Sequence, residues 1–224
     1  LAIETSCDET GIAILETNDS PTSTTSTNLH ITVLADVLMS QASLHAEYGG
    51  VFPALARREH AKNMMPLIEK ALTDAGFFEH TTTRTLSNEE ETRLSESFKK
   101  ETELLEYFKK VLLDIKIPPI DAIAVTSGPG LEPALWVGIN TAQALSVLWN
   151  IPIIPVNHME GHIMASLLTA QPDIDNKKVF ELSVPHYPSL ALLISGGHTE
   201  IVLMKETVVY EILGQTRDDA VGEA

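Results

Sequence analysis

Two similar strand–turn–strand patterns, one near each end of the sequence, constrain the fold more than any other feature. The first sets the polar turn Cys7–Thr10 between two short apolar runs within residues 1–15. The second sets Ser195–Thr199 between the apolar runs Leu190–Ile194 and Glu200–Met204. Each pattern is typical of a β-hairpin. Because the hairpin recurs, the sequence predicts two similar α/β lobes that face each other across a cleft.

Between the hairpins, apolar strand-like runs alternate with helical patterns, which is typical of α/β proteins. A helix is predicted from Pro53 to about Ala75, with a kink or a division into two helices at Pro66, since proline donates no backbone hydrogen bond. Further strands and helices are predicted at His30–Met39, Asp121–Thr126, 134–149, Ile151–Val156 and Ile163–Leu168.

Three segments interrupt this alternation. Residues Glu16–Asn28 are rich in Thr, Ser and Asn and predict a flexible loop, and Gln171–Pro188 has the composition of a linker. Residues 78–119 carry a capping box at Ser87–Glu90, followed by apolar residues at helical spacing. We expect an amphipathic helix here, in an inserted arm on the surface. The predicted first lobe is residues 1–170, and 171–224 hold the linker and the start of the second lobe.

Composition limits the cellular setting and the class of partner. The single cysteine, Cys7, excludes an internal disulfide, which fits a reducing compartment and predicts a cytoplasmic protein. No run of 18 apolar residues is present, so no membrane span is expected. The net charge of −16 argues against a dominant basic face for nucleic acid. Arg57, Arg58 and Lys62 form a basic cluster, which is more typical of a solvated helix face.

The stretch Asn157–His162 is the clearest candidate for metal binding. His158 and His162 are four residues apart, so on a helix both imidazoles project from one face, at the spacing that two ligands of one divalent metal need. Glu160 is misplaced for a zinc peptidase, in which the glutamate directly follows the first histidine. Two ligands are too few for a tight site, and a third must come from elsewhere.

Three turns carry other candidate residues. The first hairpin presents Asp8 and Glu9, whose carboxylates suit a metal–phosphate group, although an ordinary polar turn explains them equally well. Cys7 is a weaker candidate for a nucleophile than for a half-buried packing residue. The loop Ser127–Gly130 lies between a strand and a helix start, a position that can bind anions. Ser195–Gly197 allow close backbone approach to an anionic ligand.

These motifs occur in an order that resembles a known family. The chain contains Ile-Glu-Thr-Ser-Cys-Asp-Glu-Thr-Gly at 3–11, His-Ala-Glu-Tyr-Gly-Gly at 45–50, Gly-Pro-Gly-Leu at 128–131, His-Met-Glu-Gly-His at 158–162, Ser-Gly-Gly-His-Thr at 195–199 and Asp-Asp-Ala-Val-Gly-Glu-Ala at 218–224. Together they resemble the TsaD-type tRNA N6-adenosine threonylcarbamoyltransferases, which have the two-lobed actin/Hsp70/sugar-kinase α/β fold. Glu16–Asn28, 78–119 and Gln171–Pro188 look like variable insertions.

The resemblance implies a reaction and its site residues. Family members transfer the threonylcarbamoyl group of threonylcarbamoyl-adenylate, bound in the cleft, to N6 of adenosine 37 in tRNAs that read codons beginning with A. It implies that His158 and His162 bind one divalent metal ion, with iron favoured over zinc. It implies that Leu193, Ile194, Ser195, Gly196 and Gly197 bind substrate and that Asp8 and Glu9 lie near the reacting groups. The implied partners are tRNA and TsaB- and TsaE-like proteins, with no membrane.

The chain departs from the family pattern at its end and at one internal position. It resembles only the N-terminal part of the family, so the aspartate that serves as third metal ligand is not in the sequence, and the second lobe is truncated. Asn157 replaces a histidine common before the metal motif. The chain as given is therefore expected to be inactive alone. The alternatives are an ATP-dependent phosphotransferase of the same fold, a zinc peptidase and a non-catalytic binding subunit.

Overall fold

The computed structural model describes residues 1–17, 28–183, 185–194 and 199–217. The chain divides into two compact units. The first consists of Leu1–Glu16 and Val33–His158, and the second of Thr17–Thr32 and Met159–Ala224. The lobe boundary near residue 170 stays a prediction.

A mixed sheet forms the centre of the first unit. Its strands follow the order β5-β4-β1-β2-β3. They are β1 (Ala2–Glu4), β2 (Glu9–Thr17), β3 (Asn28–Ser40), β4 (Ile123–Gly128) and β5 (Ile153–Asn157). β1 pairs antiparallel with β2 and places Ile3 opposite Ile12, so the first predicted hairpin is confirmed. On its other side β1 pairs in parallel with β4, which pairs in parallel with β5.

The helices of the first unit exclude one of the two alternatives predicted at Pro66. They are α1 (Ala42–Ala46), α2 (Pro53–Asp74), α3 (Asn88–Ser97), α4 (Thr102–Leu112) and α5 (Glu132–Trp149). α2 continues across Pro66, so the division into two helices is wrong. The residues flanking Pro66, Met65 and Leu67, are buried, and their packing outweighs the lost backbone hydrogen bond. No helix in the described residues has both the length and the apolarity needed to cross a membrane.

The segment 78–119 contains two packed helices rather than one helix on the surface. The capping box at Ser87 and Glu90 is present and starts α3. Leu94, Phe98 and Phe108 are fully buried, and the rings of Phe98 and Phe108 lie 5.3 Å apart between centroids. α3 contacts α5, and α4 contacts α2. The prediction of a surface arm is therefore wrong, because the apolar stripe of this segment belongs to the core.

The core of the first unit forms between one face of the sheet and helices α2 and α5. Side chains point alternately to the two faces of a strand, which places Ile3 in the core and Glu4 on the opposite face. Met64, Ile68 and Leu72 of α2 and Val137 and Leu145 of α5 pack in the same cluster. Burial of each such side chain stabilises the fold by about 1.5–3 kcal/mol, and this packing fixes the ends of β1, β4 and β5.

The second unit contains two groups of strands. They are β6 (Leu168–Ile174), β7 (Lys177–Ser183), β8 (Ser189–Ile194), β9 (Thr199–Glu206) and β10 (Val209–Gln215). β8, β9 and β10 form an antiparallel sheet, so the second predicted hairpin is confirmed and a third strand is added. The helix α6 (His158–Ser166) contributes Ile163, which packs with Val202 and Met204.

The segment predicted to be a linker, Gln171–Pro188, is largely ordered strand. β6 and β7 form a hairpin, and β7 also pairs with Asn28–Thr32 of β3. Asp175 and Asn176 at the turn have φ angles of 52° and 61°. Asp and Asn tolerate this left-handed conformation better than other non-glycine residues, and two-residue hairpin turns require it. The linker prediction is therefore wrong, because the polar residues Asp175 and Asn176 form a hairpin turn rather than part of an irregular linker.

Candidate functional site

The first histidine of the predicted metal motif is held by a carboxylate from β1. His158 follows β5 directly and begins α6. Its Nδ1 atom lies 3.4 Å from Oε2 of Glu4. The Thr126 hydroxyl also donates to Oε2 of Glu4, and the backbone N–H of Ser6 donates to Oε1. Residues at or just after three neighbouring parallel strands, β1, β4 and β5, thus meet at the Glu4 carboxyl group.

The hydrogen bonds at Glu4 determine its charge. Burial alone would raise the pKa of Glu4, but hydrogen bonds from His158, Ser6 and Thr126 outweigh it and lower the pKa to about 2. The hydrogen bond to Glu4 raises the pKa of His158, against the effect of burial. An ionised carboxylate only accepts hydrogen bonds, so Nδ1 of His158 carries the proton. In the neutral ring, Nε2 is then the nitrogen that can bind a cation.

The second histidine lines a cavity in the second unit. His162 lies one turn after His158 on α6, as predicted. It borders a cavity of about 550 Å³ together with Met159, Leu193 and Ile194. The structure therefore brings His162 together with two of the predicted substrate-binding residues. The other three, Ser195, Gly196 and Gly197, lie outside the described residues.

Glu160, between the two histidines, has a different environment from the glutamate of a zinc peptidase. The Tyr210 hydroxyl donates a hydrogen bond of 3.1 Å to Oε1 of Glu160. Burial, followed by the hydrogen bond and charge of Glu160, raises the pKa of Tyr210 to about 12. Glu160 thus tethers α6 to β10, which is a structural role.

The turn that carries Asp8 is fixed by a fully buried histidine. Nε2 of His60 lies 3.0 Å from the Cys7 carbonyl oxygen, and Nδ1 lies 2.8 Å from the Thr10 hydroxyl. A carbonyl oxygen only accepts, so Nε2 donates and Nδ1 accepts from Thr10. Burial lowers the pKa of His60, which keeps the ring neutral. The backbone N–H of Gln41 adds a bond of 2.9 Å to the Asp8 carbonyl oxygen.

The carboxylates of this turn affect each other and the neighbouring thiol. Burial, then the adjacent Asp8, raises the pKa of Glu9. Burial and the charges of Asp8, Glu9 and Glu4 raise the pKa of Cys7 to about 11. A nucleophilic cysteine needs a lowered pKa, so Cys7 is a packing residue rather than a nucleophile. A raised pKa makes a carboxylate a better proton acceptor, so among these groups Glu9 is the candidate for that role.

The glycine loop packs against the end of β1. A Cβ atom at Gly130 would lie 2.6 Å from the Ser6 carbonyl oxygen, which only glycine allows. That oxygen accepts a bond of 2.7 Å from the N–H of Leu131, just before α5 begins at Glu132. The predicted strand, glycine loop and helix are all present. Anion binding at this loop stays a prediction.

The basic cluster predicted at Arg57, Arg58 and Lys62 is partly neutralised within the chain. Arg57 forms a salt bridge of 2.7 Å with Glu101, and Lys62 lies 3.4 Å from Glu59. These partners support the interpretation as a helix face rather than a dedicated nucleic-acid surface.

The two predicted metal ligands fit a transition-metal ion but do not complete a site. Within residues 1–17, 28–183, 185–194 and 199–217, no three His, Cys, Asp or Glu side chains group closely enough to bind a metal. Metal-binding histidines usually donate their second ring N–H to a carboxylate, which is the arrangement of His158 with Glu4. The donor set therefore fits, with further ligands to come from beyond these groups.

Sequence reasoning missed Glu4, Thr126 and His60. Glu4 was detectable as a charge inside an otherwise apolar strand. Thr126 lies 122 positions from its partner Glu4, and His60 lies 53 positions from its partner Cys7. No local sequence pattern reveals contacts over such separations.

The family comparison matches most of the chain. The family model of TsaD, tRNA N6-adenosine threonylcarbamoyltransferase, matches residues 32–81 and 101–224. The match includes both histidines and spans the segment 171–188. It leaves out residues 1–31, so the roles of Asp8 and Glu9 rest on their motif alone. The family has the actin/Hsp70-type fold, is generally metal-dependent and modifies tRNA. The chain belongs to the TsaD family of tRNA threonylcarbamoyltransferases.

Proposed function

We propose that the complete protein transfers the threonylcarbamoyl group from threonylcarbamoyl-adenylate to N6 of adenosine 37 in tRNAs that read codons beginning with A. One observation carries the proposal. Glu4 binds the His158 ring at the start of α6, the helix that carries both histidines, and the family model matches this part of the chain. A phosphotransferase or a zinc peptidase has no comparable support. The Glu160 contact with Tyr210 also weakens the peptidase hypothesis.

His158 and His162 are the residues that would hold the metal ion, which we propose to be iron rather than zinc. When bound, such an ion supplies Lewis-acid polarisation of an oxygen atom. The chain's own contribution is to orient the first imidazole through Glu4. The third ligand lies outside the described residues.

The transfer needs a proton acceptor but no protein nucleophile, because the adenylate is already activated. The N6 nitrogen forms a bond to the carbamoyl carbon, and the bond from that carbon to the adenylate phosphate oxygen breaks. AMP leaves with the electron pair, and the nitrogen loses one proton. We propose that Glu9, with its raised pKa, accepts this proton and that Asp8 positions the amine. The His60 network fixes the turn that carries both residues.

The cavity beside His162 is the proposed place of the adenylate. Its volume of about 550 Å³ falls within the usual range of about 300–1,000 Å³ for small-molecule sites. Leu193 and Ile194 give it apolar walls that suit a nucleoside. We assign Ser195, Gly196 and Gly197, which follow Ile194 in the sequence, to the same substrate. TsaB- and TsaE-like partners and a cytoplasmic location stay predictions.

The proposal is tested by single-turnover transfer with the full-length protein, tRNA and threonylcarbamoyl-adenylate, read by mass spectrometry of digested nucleosides. We expect the double variant Asp8→Asn/Glu9→Gln to slow the reaction by about 10²–10⁴-fold, the usual contribution of a positioned acid or base. Glu16→Gln, an exposed carboxylate later on β2, is the matched control and should leave the rate unchanged. An unchanged rate in the double variant would exclude the proton-acceptor role, and absence of product with the wild type would exclude the reaction.

A further inference from the structure

Glu4 is a charged residue that lies outside the apolar core of the first unit. It is the last residue of β1, a strand whose neighbouring residues Ile3 and Thr5 are buried beneath α5. A Cβ atom on Gly138 of α5 would lie 2.6 Å from Thr5 Oγ1 and 3.4 Å from Ile3 Cγ2. Glu4 points to the other face of the sheet, because side chains alternate along a strand. Its charge therefore needs an explanation outside the core.

Three hydrogen-bond donors hold the Glu4 carboxylate in one orientation. Oε1 accepts from the Ser6 N–H, and Oε2 accepts from both the Thr126 hydroxyl and Nδ1 of His158. A carboxylate with several donors has a fixed rotamer and little freedom to rotate towards another ligand. The Ser6 and Thr126 bonds thus aim Oε2 at the His158 ring.

The sheet supplies the register for this contact. β1 pairs with β4, so Ile3 lies beside Val125, and β4 pairs with β5, so Thr126 lies beside Val156. Glu4 at the end of β1, Thr126 near the end of β4 and His158 just after β5 therefore lie near the carboxyl ends of three neighbouring strands. In α/β sheets, ligands bind at the carboxyl ends of the parallel strands.

We propose that Glu4 is a positioning residue for metal binding: it accepts the Nδ1 proton of His158 and so presents Nε2 to a divalent cation. This inference rests on the proposed function, because it takes His158 as a metal ligand. It differs from direct ligation by Glu4, since the oxygen nearest to His158 is already shared with the Thr126 hydroxyl. Carboxylates in this relation to a ligating histidine raise metal affinity by about 10- to 100-fold.

The test is Zn²⁺ affinity of the full-length protein, measured by competition with a chromophoric chelator. We expect Glu4→Gln to weaken Zn²⁺ binding by about 10- to 100-fold. Glu4→Asp keeps the charge but shortens the side chain, and it should weaken binding as well. Glu132→Gln removes an exposed carboxylate at the start of α5 and should bind Zn²⁺ as the wild type does.

A double-mutant cycle separates positioning from direct ligation. In a His158→Ala background, Glu4→Gln should cause no further loss, because Glu4 acts through His158 alone. A second, independent readout is the nitrogen NMR spectrum of the His158 ring in the metal-free protein. The wild type should show the Nδ1–H tautomer, and Glu4→Gln should shift the ring towards a mixture of tautomers.

Three results overturn the inference. The first is wild-type affinity in both Glu4 variants, which would leave the metal site intact and remove only the positioning role. The second is an additive loss in the His158→Ala background, which would make Glu4 a ligand or a general charge effect. The third is a wild-type protein that binds neither Zn²⁺ nor Fe²⁺, which would also remove the metal site from the proposed function.

Discussion

Replacing Gly138 by alanine provides the sharpest test of the packing between α5 and β1. In an exposed helix interior this change stabilises a protein by about 0.5–1 kcal/mol, because glycine loses more backbone entropy on folding. Here the new methyl group would lie 2.6 Å from Thr5 Oγ1, which is closer than any real contact of this type. The structure therefore predicts the opposite sign from helix propensity.

The magnitude follows from the atoms that must move. Inserting a methyl group into a packed core costs about 1–3 kcal/mol. The displaced Thr5 hydroxyl also loses its buried hydrogen bond of 3.0 Å to the Ala134 carbonyl oxygen, at about 1 kcal/mol. After the gain in helix propensity of up to about 1 kcal/mol, the net loss of stability is about 1–3 kcal/mol.

The assay is urea denaturation followed by tryptophan fluorescence, since both tryptophans, Trp136 and Trp149, lie in α5. Gly161→Ala in α6 is the control, because nothing lies within 4 Å of the position of its Cβ atom. Followed by circular dichroism, that variant should be more stable than the wild type by up to about 1 kcal/mol. A Gly138→Ala protein as stable as the wild type, or more so, would refute the close packing of α5 on Thr5.

Three further predictions follow from buried groups in the first unit. Cys7, with its pKa raised to about 11, should react with iodoacetamide at neutral pH roughly 100-fold more slowly than an ordinary thiol, and a rate equal to that of the urea-unfolded chain would contradict this. His60 has a lowered pKa in the folded state, so the unfolded state binds more protons and stability should fall as pH drops below about 6.5. His60→Gln should flatten that dependence between about pH 7 and 5 in denaturation curves, and an equal slope in both proteins would rule it out. Phe108→Ala should cost about 3–5 kcal/mol if its segment belongs to the core, whereas a change below about 0.5 kcal/mol would return it to the surface.

The sequence predicted the parts of the fold that depend on local pattern. Both hairpins, the long helix α2 and the histidine pair on α6 follow from alternation, helical spacing and turn residues. The surface arm was wrong, because the spacing of Leu94 and Phe108 shows that a helix has an apolar face but not what covers that face. The linker was wrong because β6 and β7 are held by backbone pairing, which polar side chains do not reveal.

The candidate site was predictable to the same extent. His158, His162, Asp8 and Glu9 are visible as residue types in motifs. Their supports are not, because Glu4 lies 154 positions from His158 in the sequence and only the sheet register brings them together. Residues suited to metal binding or catalysis can be recognised in the sequence. The groups that orient them cannot, because they are brought close only by the pairing of strands that are distant in the sequence.

The helix α3 has a consequence for protein engineering. It lies in residues 82–100, which the family model does not match, yet Leu94 is fully buried. Arg84 from the same stretch donates to the Leu148 carbonyl oxygen near the end of α5 and pairs with Glu90. Deleting this stretch would expose the side chains of α5 that α3 covers. It would also remove the hydrogen bond from Arg84 to the Leu148 carbonyl oxygen near the end of α5. A chimera that borrows α5 must therefore import α3 with it, or replace the apolar residues that α3 shields.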